Sequence, residues 1–251
     1  MRKIYQLKRY ILLIALVISA VAANAQAGYN YYQFGVGFGA SYERGYTNIP
    51  RQTQNLTGQI FGTYNFNPYI PIELELQRGN LSGGGLTVDK DRYGRKFANN
   101  FLALYLHADV QLGSFIDYEN DWFLNAVKGF YLGSGVGLVS NNNKVQRTNV
   151  ILANGGTDYV FPGKDKSINI SIPLRVGYEF KIYDSYRQPG WAIDIGYVHN
   201  IVFGEGLDGY DDPTTRFKNN ATNQYRQFTI GFKYFFGTTV SYNKLVRTYG
   251  F

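Results

Sequence analysis

Residues 167–182, SINISIPLRVGYEFKI, alternate between two kinds of side chain. Ile168, Ile170, Ile172, Leu174, Val176, Tyr178 and Phe180 are apolar or aromatic; Asn169, Ser171, Pro173, Arg175, Gly177 and Glu179 between them are polar, small or charged. A period of two belongs to a β-strand with two unlike faces. Strands of soluble sheets usually run about 5–6 residues, whereas a tilted strand needs roughly 9–11 to cross a bilayer. The run is long enough to cross. It predicts a membrane strand with its even positions in lipid and its odd positions lining a polar interior.

Seven further stretches carry the same alternation. Residues 32–43 set Tyr32, Phe34, Val36, Phe38, Ala40 and Tyr42 against Gln33, Gly35, Gly37, Gly39, Ser41 and Glu43. Residues 56–66 and 69–78 flank an Asn67-Pro68 turn, with Ile60, Tyr64, Ile72 and Leu74 outward and Phe61, Thr63, Glu73 and Glu75 inward. A fourth strand puts Leu102, Leu104 and Leu106 outside and Tyr105, His107 and Asp109 inside. Residues 130–138, 191–197 and 227–236 complete the set. The gaps near 67–68 and 182–190 are short, while 44–54, 79–98, 141–166 and 204–222 are long and polar. Only 113–128 breaks this rhythm, and it reads as a short interfacial helix with Phe115, Trp122 and Phe123 at the headgroup level. The expected fold is all-β: an eight-stranded antiparallel transmembrane β-barrel with short periplasmic turns and long extracellular loops. Closure is required, because an open edge in lipid leaves backbone groups unpaired.

The amino terminus reads differently. Arg2, Lys3, Lys8 and Arg9 precede an apolar run over 11–22, and Ala23-Asn24-Ala25 fits a small-x-small cleavage site. Residues 1–25 are therefore expected to be a cleaved secretory signal peptide, 26–236 the barrel and 237–251 a periplasmic tail. The leader also changes the charge balance. The chain has 25 Lys and Arg against 18 Asp and Glu; less the leader's four, 21 remain, a balance of +3. Without a basic stripe this is a poor nucleic-acid footprint. The absence of Cys excludes disulfides and thiolate metal sites. With 29 Gly, 23 Tyr and 18 Phe the composition is that of an aromatic- and glycine-rich β protein.

Residues 129–138 (GFYLGSGVGL), 171–180 (SIPLRVGYEF) and 227–236 (QFTIGFKYFF) look like the repeating strands of small outer-membrane β-barrel proteins of the OmpA/OmpX-like and PorT-like kinds. The resemblance spans about 29–236 and carries no catalytic motif. It implies an integral outer-membrane protein of a Gram-negative envelope, with a structural or interaction role or one supporting a secretion or surface assembly. Such barrels often end on an aromatic residue that resembles an assembly signal; here Phe236 or Phe251 fits that part.

Eight inward residues form a candidate charge network: Glu73, Glu75, His107, Asp109, Arg175, Glu179, Asp194 and Lys233. Buried charges must be paired, so Arg175 and Lys233 are expected to be bridged by the carboxylates. The favoured reading is a polar plug, since an eight-stranded interior is just wide enough for side chains; the alternative is a narrow channel for ions or small solutes. The glycine series at 35–39 and 133–137 lie on one strand face, which suits space for Phe61, Tyr105, Tyr131 and Tyr225 better than a phosphate loop. His107 and His199 do not form a nucleophile–base–acid set, so no enzyme is expected and a lipid-modifying activity is a distant alternative. No metal or cofactor is expected, although Glu205, Asp208, Asp211 and Asp212 offer oxygen ligands of the kind calcium takes. The expected partners are outer-membrane lipid, lipopolysaccharide, the barrel-assembly machinery and a protein at the extracellular loops. The clusters at 90–96 and 205–212 read first as solvated loop, with contact of the basic one to lipopolysaccharide phosphates as the alternative.

Overall fold

The computed structural model describes residues 30–119, 121–149, 159–214 and 222–242. The expected signal peptide and the end of the tail, 243–251, lie outside the described residues. Eight strands follow in chain order: β1 (Asn30–Tyr46), β2 (Gln54–Asn67), β3 (Ile70–Gly84), β4 (Lys96–Gln111), β5 (Phe130–Val145), β6 (Lys166–Tyr183), β7 (Pro189–Val202) and β8 (Gln224–Ser241). Each pairs antiparallel with its neighbour, and β8 returns to β1 to close the barrel. No strand edge is left open, which is the condition for crossing lipid in β form. Among the described residues no helix is long and apolar enough to cross a membrane.

The predicted faces hold along every strand. Phe38, Ile60, Leu74, Leu104, Leu132, Ile170, Ile195 and Phe228 stand outside, exposed, while most of the intervening positions are buried inside. Aromatic rings gather at the turn end of the wall, where Trp191 packs on Tyr234 at 4.4 Å and Phe130 meets Tyr178 edge-on at 5.0 Å. Short turns close through local side chains. Asn67 accepts from the Tyr69 amide at 2.8 Å, and Asp184 accepts from the Tyr186 and Gln188 amides at 2.9 and 3.0 Å.

Strand lengths exceed the expected ones, chiefly at the loop end. The stretch 79–98 was expected to be loop, but β3 runs to Gly84 and β4 starts at Lys96, with Asn80 opposite Asn100 and Ser82 opposite Ala98. β5 likewise continues to Val145. Above the bilayer the outer face meets water, so the apolar–polar contrast disappears while the backbone ladder continues. β8 also continues past Phe236 to Ser241, its end paired with Asn30, Tyr31 and Tyr32. Between β4 and β5, a single 3-10 turn (Leu112–Ser114) precedes α1 (Trp122–Val127), which Asp121 caps by accepting from the Phe123 and Leu124 amides. Phe115, Trp122 and Phe123 are all exposed.

Candidate functional site

The eight charged positions converge at one depth of the lumen, and all are buried. Their register explains how. Arg175 on β6 lies opposite Gly133 on β5, and Gly133 lies opposite Asp109 on β4. With no side chain at Gly133, the guanidinium reaches across it to donate from Nε to Asp109 at 3.1 Å and from Nη1 to Glu75 at 3.3 Å. A methyl on Gly133 would collide with the Asp109 carboxylate. Lys233 on β8 is flanked by Gly37 and Ala192. Its ammonium donates to Glu73 and, at 2.8 Å, to Glu179. Glu179 and Asp194 face each other directly across β6 and β7, an arrangement of like charges that destabilises a sheet unless it is offset; the Lys233 ammonium offsets it. His107 Nε2 sits 3.1 Å from Glu75 and 3.8 Å from Glu73. Asp194 accepts from the Tyr131 hydroxyl at 3.1 Å.

Glycines place the large rings by the same device. Tyr131 lies opposite Gly177, which lies opposite Gly196, and its hydroxyl crosses both to reach Asp194. Tyr105 crosses Gly137 to donate to Ser171 at 3.0 Å and meets the Tyr225 hydroxyl at 2.6 Å. Phe61 covers Gly37. Above the charges lies an amide tier, in which Gln227 donates to Glu43 and to Gln77, both at 3.1 Å. Among the described residues, two further charged groups face the lumen. Glu43 is an inward position of β1 that lies in the amide tier. Lys181, part-buried, lies 3.5 Å from Glu179, and its odd position in β6 is the available signal.

Both mouths are occupied as well. At the turn end the β4–β5 connection folds inward: the Tyr69 and Tyr118 hydroxyls bond at 2.5 Å, both rings are buried, and Lys181 and Lys128 lie over them at 4.5 and 4.9 Å. At the loop end Ile49, Phe161, Leu207 and Tyr210, from three different loops, join Leu81, Phe97 and Phe101 in one apolar cluster. Arg95 pairs with Asp91 at 3.0 Å and reaches Asp212 in the β7–β8 loop. Burial alone would pull this guanidinium down, but its hydrogen bonds to Asp91 and the charges of Asp91 and Asp212 keep its pKa above the ordinary value. Burial raises the pKa of Asp208, which accepts from the Tyr210 amide at 3.0 Å.

This cap bears on both loop clusters, which were expected to be solvated: Asp91, Arg95, Asp208 and Asp212 are buried in it. Arg95 is drawn into it and is not presented to lipid phosphates with Lys90 and Arg92, which are exposed. Of the four loop acids, Asp208 and Asp212 are buried against protein donors while Glu205 and Asp211 remain exposed, so they do not surround a common cation. Within the lumen, Glu73, His107 and Asp109 bring potential ligand atoms within 4.8 Å of one another. Lys233 and Arg175 already lie against these carboxylates, so the donor set is neutralised by protein cations and does not suit a metal ion. Ser171 bonds Tyr105 whereas His107 bonds Glu75, and no serine–histidine pair forms among the described residues. His199 stands on the outer face beside Gln224, at 3.0 Å.

Fold and interior together define a closed eight-stranded membrane barrel whose lumen is filled by paired charges and aromatic rings. The chain matches the family model of the outer membrane protein beta-barrel domain over residues 13–236 and belongs to that family. No curated protein matches it. Among solved structures it is similar to Neisserial surface protein A, with 14% identity, TM-score 0.40, and 84% of this chain and 100% of that one covered. Ail of Yersinia pestis, in complex with the heparin analogue sucrose octasulfate, gives 11%, 0.41, 84% and 100%. OprG from Pseudomonas aeruginosa gives 10%, 0.31, 84% and 99%.

Proposed function

We propose that the protein is a non-catalytic outer-membrane barrel that acts through its wall and its loop cap, in a structural or interaction role, and does not conduct through its lumen. The observation that carries this reading is the pairing of Arg175 and Lys233 with Glu73, Glu75, Asp109 and Glu179 across the middle of the lumen. A solute passing there would have to break charge pairs out of contact with water, which costs several kcal/mol per ion. On this reading export uses the leader at 1–25, insertion uses the barrel-assembly machinery, and lipid and lipopolysaccharide surround the wall. A protein partner meets the cap, as in a surface or secretion assembly.

Single-channel recording of the refolded protein in a planar bilayer, with solute-driven liposome swelling beside it, tests the proposal. The expected result is silence in both assays from protein whose folding is verified by its heat-dependent mobility on a gel. Steady conductance that changes when Glu73 and Glu75 are replaced by Gln would make the lumen a narrow pore and overturn the reading.

A further inference from the structure

Two arginines on the outer wall take no part in the lumen network. Arg44 of β1 and Arg226 of β8 are direct cross-strand partners, and His199 of β7 is next in the same row. The two-residue period fixes their direction: Arg44 shares its face with exposed Phe38 and Tyr42, and Arg226 with exposed Phe228 and Ile230. Like charges directly opposite on neighbouring strands repel. Neither guanidinium has an acidic partner among the described residues, and Arg44 Nε is buried without a hydrogen bond. Both nonetheless converge on one ring, Arg226 Cζ at 4.6 Å and Arg44 Cζ at 5.7 Å from the centre of Tyr46. The stretch 215–221 that leads into β8, TRFKNNA, contains no acid.

Their height suits an anionic headgroup. From Phe34, in the aromatic rim at the turn end, to Arg44 is a span of about 25 Å along the barrel axis, taking about 3.4 Å per residue and a tilt of about 40°. That is the height of the apolar band of an outer-membrane barrel, also about 25 Å. The two arginines therefore stand where the outer leaflet's headgroups begin.

We propose that Arg44 and Arg226, with Tyr46 between them and His199 beside them, bind a phosphate group of the outer leaflet's glycolipid, lipopolysaccharide, against the wall of the barrel. Guanidinium forks match phosphate oxygens bidentately, and one phosphate between two forks converts a repulsive pair into an attractive triad. The site does not depend on whether the lumen conducts, so this inference and the closed-lumen reading fail separately.

The test uses the refolded protein in zwitterionic detergent with three probes: lipid A, dephosphorylated lipid A and inorganic phosphate. Native mass spectrometry reads retention, and the thermal midpoint reads linkage. Lipid A is expected to remain bound and raise the midpoint, while the other two probes at equal concentration leave it in place. Arg44→Gln with Arg226→Gln should weaken lipid A retention at least tenfold, yet melt no lower than the parent in detergent alone, because a repulsion has been removed. Arg44→Lys with Arg226→Lys keeps the charge without the forks and should fall between; it carries the test if the Gln pair does not refold. Equal lipid A retention in parent and variant, or equal binding of the dephosphorylated lipid, would overturn the proposal. An equal shift with inorganic phosphate would make this a free-anion site and overturn the lipid assignment.

Discussion

The lumen network and the loop cap are both built from buried ion pairs and aromatic rings, but they are held in place differently. In the lumen, neighbouring strands fix every partner. Arg175 meets Asp109 because Gly133 stands between them in one cross-strand row, and Tyr131 meets Asp194 across Gly177 and Gly196. In the cap, Arg95 joins Asp212 across 117 residues of chain through two loops with no shared ladder. A ladder-held contact can break only by distorting the barrel, whereas a loop-held contact can open by itself. The same chemistry should therefore yield global stability in one place and local order in the other.

Arg175→Ala gives the largest expected effect. It leaves Glu75 and Asp109 buried without their main cation, and removing one partner of a buried pair costs about 3–5 kcal/mol. The conversion of the folded to the unfolded gel band should move to markedly lower temperature. Adding Glu75→Gln and Asp109→Asn should recover much of the loss, since no orphaned charge then remains. An unchanged midpoint for the single variant would show that the network does not support the barrel.

The contrast also marks what could be read from the chain. Alternation placed Arg175, Lys233 and the carboxylates on the inner face, because a period of two leaves a strand residue only two directions. It also put the glycines on the same inner face as the rings, while the pairing of Gly37 with Phe61 needed the β1–β2 register. The cap was not legible in this way. Arg95 in a basic cluster and Asp212 in an acidic one each read as solvated loop, and nothing local shows that they meet. Strand ends escape the pattern for a related reason: above the bilayer both faces are polar and the period vanishes. The Arg44–Arg226 pair needed the β1–β8 register, which closes the barrel between the two ends of the chain.

Arg95→Ala sharpens the comparison from the other side. Losing hydrogen bonds to charged partners costs about 1.5–3 kcal/mol, and here the loss should fall on the cap. Limited proteolysis of intact protein should cut within 85–95 and 203–214 about tenfold faster or more, while the gel-band midpoint moves far less than for Arg175→Ala. A midpoint that falls as far as it does for Arg175→Ala would mean that cap and barrel form one cooperative unit, and the distinction would be lost.

The smallest effect is expected at Asp208, where only the pH dependence of the cap is at issue. Burial raises its pKa in the folded cap above the ordinary carboxylate value, so the folded state binds the proton more tightly than the open one. The stabilisation this supplies is fully present below the unfolded pKa, near 3.9, and is lost as pH rises through the folded value. Protease resistance of the 203–214 loop should therefore fall between mildly acidic and neutral pH. Asp208→Asn keeps an oxygen to accept from the Tyr210 amide but carries no charge to desolvate. It should flatten that profile and leave the loop at least as resistant at neutral pH as the parent. A parent loop that instead grows more resistant as pH rises would show that the Arg95 charge, which pulls Asp208 the other way, outweighs burial in the cap.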